Sequence, residues 1–457
     1  MRRWRVATAL SANDIDIRLA EAEAEYERRN PRSRQLFERG ARSLPGGNTR
    51  TGVNFAPFPL YADRGEGVHL YDVDGHRHVD FVNNATALIL GHAHPQVVAA
   101  LQRQLARGTA FSRPTELEVE MAELLRARMP ALEKLRFCSS GTEAVLNVLR
   151  AARAFTGRSK TAKFEGAYHG IDEQAMVSYQ PPLGPELGPA EQPASVPSSE
   201  GLSPSAVEDV VVLPFNDGDA CAAIIERHAD ELAAVIVDPL STAAGLAVPE
   251  DGFLSSLREI TERHGILLIF DEIVSFRAGP GGAHTAYGVR PDLVCLGKVI
   301  AGGTAGAAFG GRAEVMALFD PSGGGPRIWQ SGTYNGNPLS LTAGLATMRL
   351  LDDAAYETLK TTTRQIAEGL RTTFAAAGVP ATVVAVGSLF RVYFLEELPS
   401  NYRQAAADDA AMHGWLFLSL LNRGIYWRNR GICGISLPTA GDHVDQLCTA
   451  VGEVVAA

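Results

Sequence analysis

An α/β protein built on a mostly parallel sheet is the fold this sequence predicts, and three observations lead there. From Leu135 to about Gly311 short apolar runs alternate with helical stretches, with Ala233–Val237, Ile266–Phe270 and Leu293–Leu296 the clearest strands. The run Ile266–Phe270 is apolar throughout and ends at Asp271-Glu272. A run without polar alternation reads as a strand buried on both faces, and open α/β sheets bind ligands at the carboxyl ends of such strands. Leu135–Cys138 then leads into Ser139-Ser140-Gly141-Thr142, and Glu143 opens a helix. The N–H groups at such a helix start have no acceptor in their own helix and, with hydroxyls beside them, can cradle an anion.

The other elements come in chain order. Asp14–Arg29, rich in Ala, Glu and Arg, reads as a helix whose sparse apolar positions are Ile15, Ile17, Leu19 and Tyr26. Alternation and turn signals such as Asp74-Gly75 make Tyr61–Val82 a small antiparallel unit. Thr115-Glu-Leu-Glu118 is a capping box, and the helix it opens presents Leu117, Met121, Leu124 and Leu125 on one face. Leu339–Leu351 reads as a long helix leaving the sheet domain. Ala354–Ala457, with two helical regions around Val383–Leu395, reads as a small α+β domain. Three parts result: 1–80, an N-terminal segment; 81–345, a large domain; and 346–457, the small domain. The segment Gln180–Ser205 has repeated Pro, Ser, Gly and Glu and no periodic apolar residues. A loop of that length is either a flap over the site or a tolerated surface insertion.

With 457 residues, 46% hydrophobic and 21% charged, the chain has the composition of a globular protein of two or three domains. A formal net charge of −10 without a basic block argues against nucleic acid as the main partner. No apolar stretch has the length of a membrane helix. Met1–Leu10 is charged, has too short an apolar core for a secretion signal, and reads as an unstructured lead. The five cysteines form no Cys-x-x-Cys pair and read as reduced core residues of a cytoplasmic protein. His76/His78 and His92/His94 have metal-like spacing, but without an acidic or thiol partner at a fitting interval they read as turn histidines, so no metal site is expected.

Candidate chemistry centres on Lys298. It comes after an apolar run, precedes Gly302-Gly303, and no other charge lies between Asp292 and Arg312. The other lysines, Lys134, Lys160, Lys163 and Lys360, stand in polar or mixed surroundings. A lysine held at a strand end loses hydration and becomes a nucleophile for aldehydes; one that merely snorkels from the strand gives the same letters. Asp271 lies 27 residues earlier, room for one crossover. A Schiff-base lysine with an aspartate on a pyridinium nitrogen is the pair that pyridoxal 5'-phosphate needs, although acidic residues also cap helices. Ser140, Gly141 and Thr142 are phosphate candidates, or a plain N-cap. Tyr168 and His169, between glycines, could meet a flat cofactor, or Tyr168 could be a buried turn residue.

The order of these segments carries a resemblance. Ser140-Gly-Thr-Glu-Ala144, Tyr168-His-Gly170, Phe270-Asp-Glu-Ile273, Leu296-Gly-Lys-Val-Ile300 and Gly332-Thr-Tyr-Asn-Gly-Asn-Pro338 resemble the class III aminotransferases of fold type I. Pro45-Gly-Gly-Asn-Thr-Arg50, Gly91-His-Ala-His-Pro95 and Arg430-Gly-Ile-Cys-Gly-Ile-Ser-Leu-Pro438 are similar to the branch holding glutamate-1-semialdehyde aminomutase and, nearer still, the aromatic β-amino-acid (β-phenylalanine) aminotransferases. The resemblance implies a seven-stranded, mostly parallel sheet and pyridoxal 5'-phosphate bound as a Schiff base to Lys298. It puts Asp271 on the ring nitrogen, Ile273 and Tyr168 on the ring faces with His169 beside them, and Ser140, Gly141 and Thr142 on the phosphate. Thr333 reaches the phosphate from the partner subunit, which implies a homodimer with a shared site. Arg50 and Arg430 match two arginines that bind substrate carboxylate, the second absent from the aminomutase pattern.

Two segments depart from the family. Asp238 stands where Glu is usual, and Asn83-Asn84-Ala85-Thr86 replaces a more aromatic or acidic stretch of the substrate pocket. The activity implied is transfer of an amino group from an amino acid, a β- or aryl-substituted one favoured, to a 2-oxo acid. An aminomutase-like isomerase is the alternative, and an inactive cofactor-binding scaffold a remote third.

Overall fold

The structure is a computed structural model, and it describes residues 11–456. The expected lead, 1–10, lies outside these residues. The described residues divide into two compact units, one of residues 11–94, 357–398 and 407–456, the other of 95–356 and 399–406.

The second unit holds a seven-stranded sheet. Its strands are β1 (Lys134–Cys138), β2 (Lys160–Phe164), β3 (Val210–Leu213), β4 (Leu232–Val237), β5 (Leu267–Asp271), β6 (Leu293–Leu296) and β7 (Ala307–Gly311). They lie in the order β1-β7-β6-β5-β4-β2-β3. All pairings are parallel except those of β7, which is antiparallel to both β1 and β6. The three runs taken as strands are thus β4, β5 and β6, adjacent at the centre.

Their lack of alternation has the expected cause, since both faces are covered. Ile236 and Ile269 point to one side, where the helix Gly141–Thr156 packs Ala144, Val145, Val148 and Ala152 against them. Val235, Val237, Leu268 and Phe270 point to the other and meet Leu254, Leu257 and Ile260 of the helix Phe253–Arg263. Each fully buried large apolar side chain here stabilises the fold by about 1.5–3 kcal/mol. The topology sends β1 to β6 in one direction and only β7 in the other, so the segments leaving those six strands collect along one edge of the sheet.

The insertion 180–205 is tied down rather than loose. Tyr402 donates its hydroxyl to Pro181 O at 2.5 Å, and Arg403 donates to Leu187 O and Gly188 O, both at 2.8 Å. The same guanidinium pairs with Glu165 at 2.8 and 2.9 Å. Ser178 and Val196 exchange backbone and side-chain bonds, and Leu187 is buried.

The first unit contains the predicted antiparallel unit, Ala62–Glu66, His69–Asp72 and Arg77–Asp80, to which Ile425–Tyr426 adds in parallel. The segment Val383–Leu395 is a hairpin, Thr382–Val386 with Leu389–Tyr393, and helices flank it. The helix Ala12–Arg29 starts in a Ser11–Asp14 capping box, packs on Ala410–Leu421 and buries Ile15, Ala22 and Tyr26, while Ile17 stays exposed. One sequence expectation fails here. An acidic partner does sit between the first histidine pair: Asp72 Oδ2 accepts from His76 Nδ1 at 3.0 Å and His78 Nε2 at 2.9 Å. The spacing argument missed it because the hairpin turn, not sequence interval, brings Asp72 across.

Candidate active site

At the carboxyl edge of the sheet a cavity of about 220 Å³ opens between the strand ends. Asp271 closes β5 and is 4% exposed. Its Oδ1 accepts from the Ile273 N–H at 3.1 Å and its Oδ2 from His169 Nδ1 at 2.7 Å. The neighbouring Glu272 turns away. It accepts from the backbone of Ala283 and His284 at the start of the Ala283–Tyr287 helix, at 2.6 and 2.9 Å. Of the acidic pair, therefore, one residue caps a helix and the other lines the cavity.

Lys298 lines the same cavity two residues beyond β6. Its backbone is left-handed, φ 50°, between Gly297 and the short turn Lys298–Ala301. A side chain on such a backbone is strained, of order 1–3 kcal/mol, and such strain collects at functional sites.

After β1, Ser140 caps the helix Gly141–Thr156 by accepting the Glu143 N–H at 3.2 Å. Gly141 and Thr142 line the cavity, and their N–H groups belong to the first turn, without acceptors in the helix. A Cβ on Gly141 would lie 2.6 Å from Ile273 Cδ1, and one on Gly170 (φ +99°) 2.7 Å from Thr142 Oγ1. Gly170 is required by its left-handed backbone and by the Thr142 Cα at 2.9 Å, whereas a side chain at Gly141 would have to displace the tip of Ile273. Tyr168 stands at the cavity 41% exposed, stacked obliquely on Tyr179 at 4.9 Å. His169 is buried and bonded to Asp271, and its Nε2 has no hydrogen-bond partner among the described residues.

The sequence-predicted residues thus fall into three groups. Gly141, Thr142, Tyr168, Asp271, Ile273 and Lys298 come together around one cavity; Ser140 and His169 stand directly behind it. Thr333 is in the same unit but on an exposed segment, with Trp329 and Tyr334 exposed beside it. Arg50 and Arg430 belong to the other unit, where both are exposed and Arg50 donates to Asn84 Oδ1 at 2.7 Å. Arg428 instead donates to Gly52 O at 3.1 Å.

Sequence reading missed two residues. Asp238 comes directly after β4 just as Asp271 ends β5, so the same signal, an acid after an apolar run, marks it. It lines the cavity and accepts from Leu240 N at 3.1 Å, Thr242 N at 2.8 Å and the Thr242 hydroxyl. Burial, then the nearby Asp271 charge, push its carboxyl up to about 6 against the pull of those bonds. The other is Lys163, placed in polar or mixed surroundings by sequence but buried in the structure, 3% exposed.

The donor set fits pyridoxal 5'-phosphate. A glycine-cleared helix start suits a phosphate. A carboxylate held by two donors suits a ring nitrogen, a tyrosine and an isoleucine suit the faces of a flat ring, and an amine suits the aldehyde. Fold and site together define a class, the pyridoxal-phosphate transferases of fold type I.

The comparisons with known proteins agree and go further. A family model described as Aminotransferase class-III matches residues 51–440, so the chain belongs to the class III aminotransferase family. It is 39% identical over 427 residues to the glutamate-1-semialdehyde 2,1-aminomutase of Methanothermobacter thermautotrophicus, covering 93% of this chain and 99% of that one. The crystal structure of an omega-transaminase from Sphaerobacter thermophilus superposes with a TM-score of 0.90 at 44% identity, over 93% of this chain and 97% of that one. A β-phenylalanine aminotransferase from Variovorax paradoxus does so with a TM-score of 0.87 at 37% identity, over 96% and 97%. The cofactor of the family is pyridoxal 5'-phosphate, which a transaminase of this fold holds bound. None of the described helices is long and apolar enough to cross a membrane.

Proposed function

We propose that this enzyme is an aminotransferase, moving an amino group from an amino acid, β- or aryl-substituted by preference, to a 2-oxo acid. The observation that carries the reading is the placing of Lys298 and Asp271 on one cavity at the ends of adjacent parallel strands. When bound there, pyridoxal 5'-phosphate supplies an electron sink for the charge that builds on the substrate carbon. Lys298 would hold the cofactor by its aldehyde, and its amine is placed to move the proton of the substrate carbon. Asp271, kept in place by His169 and the Ile273 N–H, holds the proton on the ring nitrogen. Gly141 and Thr142 bind the phosphate through the helix start, and Tyr168 and Ile273 confine the ring.

Arg50 and Arg430 recognise carboxylates, for which a guanidinium fork is suited. A β-amino acid carries its carboxylate one carbon farther from the amine than an α-amino acid does. One arginine cannot clamp both at one distance from the cofactor, so each serves one half-reaction. Single-turnover absorbance with donor alone, then acceptor alone, tests this. Replacing Arg50 damages one half more than the other, and replacing Arg430 does the converse. Equal losses in both halves for both variants would refute the division.

An isomerase reading is favoured by one observation, the aminomutase name of the relative that matches 99% of its own length. Arg430, absent from that pattern, and the omega-transaminase at 44% identity support transamination. A reaction that consumes a single amino substrate with no 2-oxo acid present, and no exchange of its nitrogen, would decide for isomerisation. The exposed Trp329, Thr333 and Tyr334 support a homodimer in which Thr333 reaches the partner's phosphate site, and sedimentation of the purified protein tests it. Five unpaired cysteines, four of them buried, support a reducing compartment such as the cytoplasm.

A further inference from the structure

Lys163 lies in β2, one residue before its end. Its ammonium donates to three main-chain carbonyls, Ala167 at 2.9 Å, Ala175 at 2.6 Å and Val177 at 2.6 Å. An ammonium has three N–H bonds, and all three are matched. No carboxylate among the described residues forms an ion pair with it. A charge buried among neutral dipoles is costly, and desolvation pulls the amine down to about 7. An arrangement of that cost calls for a purpose beyond packing, which a methionine would serve more cheaply.

The acceptors reveal the purpose. Ala167 directly precedes Tyr168, His169 and Gly170; Ala175 and Val177 lie where the same loop returns to the sheet. The tripod therefore ties both ends of the loop that carries the cavity's aromatic ring and the partner of Asp271. Two main-chain bonds, Gly166 N to Ser178 O at 2.8 Å and Ala167 N to Phe164 O at 3.1 Å, complete the closure.

We propose that Lys163 is a positioning residue of the cofactor site, whose three bonds set Tyr168 against the cavity and His169 Nδ1 on Asp271. This rests on reading the cavity as the pyridoxal 5'-phosphate site. Lys163 touches neither cofactor nor substrate and acts through the loop. Gln has two donors in a plane, Met none, so neither reproduces a three-way tie.

The test is a coupling measurement on apoprotein. Lys163→Met and Lys163→Gln are made in the natural background and with His169→Ala. The Kd for pyridoxal 5'-phosphate is read by quenching of protein fluorescence, with far-UV circular dichroism and the thermal midpoint alongside. In the natural background Kd rises about tenfold or more, the effect of losing a charged hydrogen bond. In the His169→Ala background it rises far less, because the path to Asp271 is already cut. Equal rises in both backgrounds, or an unchanged Kd with only a lower thermal midpoint, overturn the proposal. If neither variant folds, hydrogen exchange of the natural apoprotein decides. Amides of 166–178 as slow as those of β2 support the tripod, and amides as fast as exposed turns refute it. A natural apoprotein that binds no pyridoxal 5'-phosphate refutes the site reading itself, a result distinct from either of these.

Discussion

Lys163 lies one residue before the end of β2 and Lys298 comes after β6, both near the carboxyl edge of one sheet, and their surroundings differ in each respect that governs reactivity. Lys163 is 3% exposed, its three donors taken by carbonyls, on extended strand backbone. Lys298 lines a cavity of about 220 Å³ on a left-handed backbone. By the share of free amine near neutral pH, Lys163, drawn down to about 7, has a claim to be a nucleophile. It cannot use it, since it is buried and its three N–H bonds are all given to main-chain carbonyls. Desolvation prepares a lysine for chemistry only where an electrophile can approach; elsewhere the same desolvation is the cost of holding a loop.

The largest effect should come from Lys298→Ala. Turnover should fall by about 10²–10⁴-fold or more, the range for a positioned acid–base group, and the cofactor should dialyse away. Borohydride treatment of the natural holoenzyme should fix the cofactor to the Lys298 peptide alone. Label on Lys163 would reverse the comparison. Asp271→Asn ranks next, keeping the shape but losing the charge that holds the ring proton. It should cost on the order of 10²-fold in kcat, and near-normal turnover would show that another group holds that proton.

Asp238 sharpens the picture by pH. Its carboxyl is raised to about 6 by burial and by Asp271. A folded-state value above the unfolded one means the folded protein binds the extra proton between about 4 and 6. The stability linked to that proton is present at the low end of this window and is lost as pH rises through it. Asn carries no such proton, so the thermal midpoint of apo Asp238→Asn should gain on the natural protein as pH goes from about 4.5 to 7. A constant gap would mean that the Thr242 bonds keep Asp238 ionised throughout.

The smallest effect concerns backbone alone. Lys298 is a lone left-handed residue, but Asn83, Asn84, Ala85 and Thr86 form four in succession, φ 49–71°. Ala85 has no side-chain bond to repay the conformation, so Ala85→Gly should stabilise by about 1 kcal/mol in denaturant unfolding. If stability falls instead, the methyl group is packing against something that outweighs the strain.

How far the sequence could be read depends on the same physics. The central strands were legible because burial on both faces leaves an uninterrupted apolar run, as in Ile266–Phe270. Lys298 and Asp271 were legible because a charge after such a run is conspicuous. Asp238 offered the same signal and was read only as a family difference. Lys163 was hidden: in Lys160-Thr-Ala-Lys-Phe164 it alternates with apolar residues as a surface lysine would, and its partners are main-chain oxygens, which leave no trace in residue type. The turn 83–86 was seen as unusual in composition but not in shape, since Asn favours left-handed backbone while Ala and Thr do not. The insertion 180–205 was read as either flap or surface loop because Tyr402 and Arg403, which pin it, lie some two hundred residues away.

That distance has a consequence in time. Every residue lining the cofactor cavity has been translated by Lys298, yet Arg403 joins Glu165 across 238 positions. At about 5–20 residues per second, Glu165 waits roughly 12–50 s on the ribosome before that partner exists. A chain cut after residue 398 would own the whole cavity and still lack Tyr402 and Arg403, the pair of side chains that pins the insertion 180–205. The seven-stranded sheet is complete at Gly311; the side chains that pin its insertion come only afterwards.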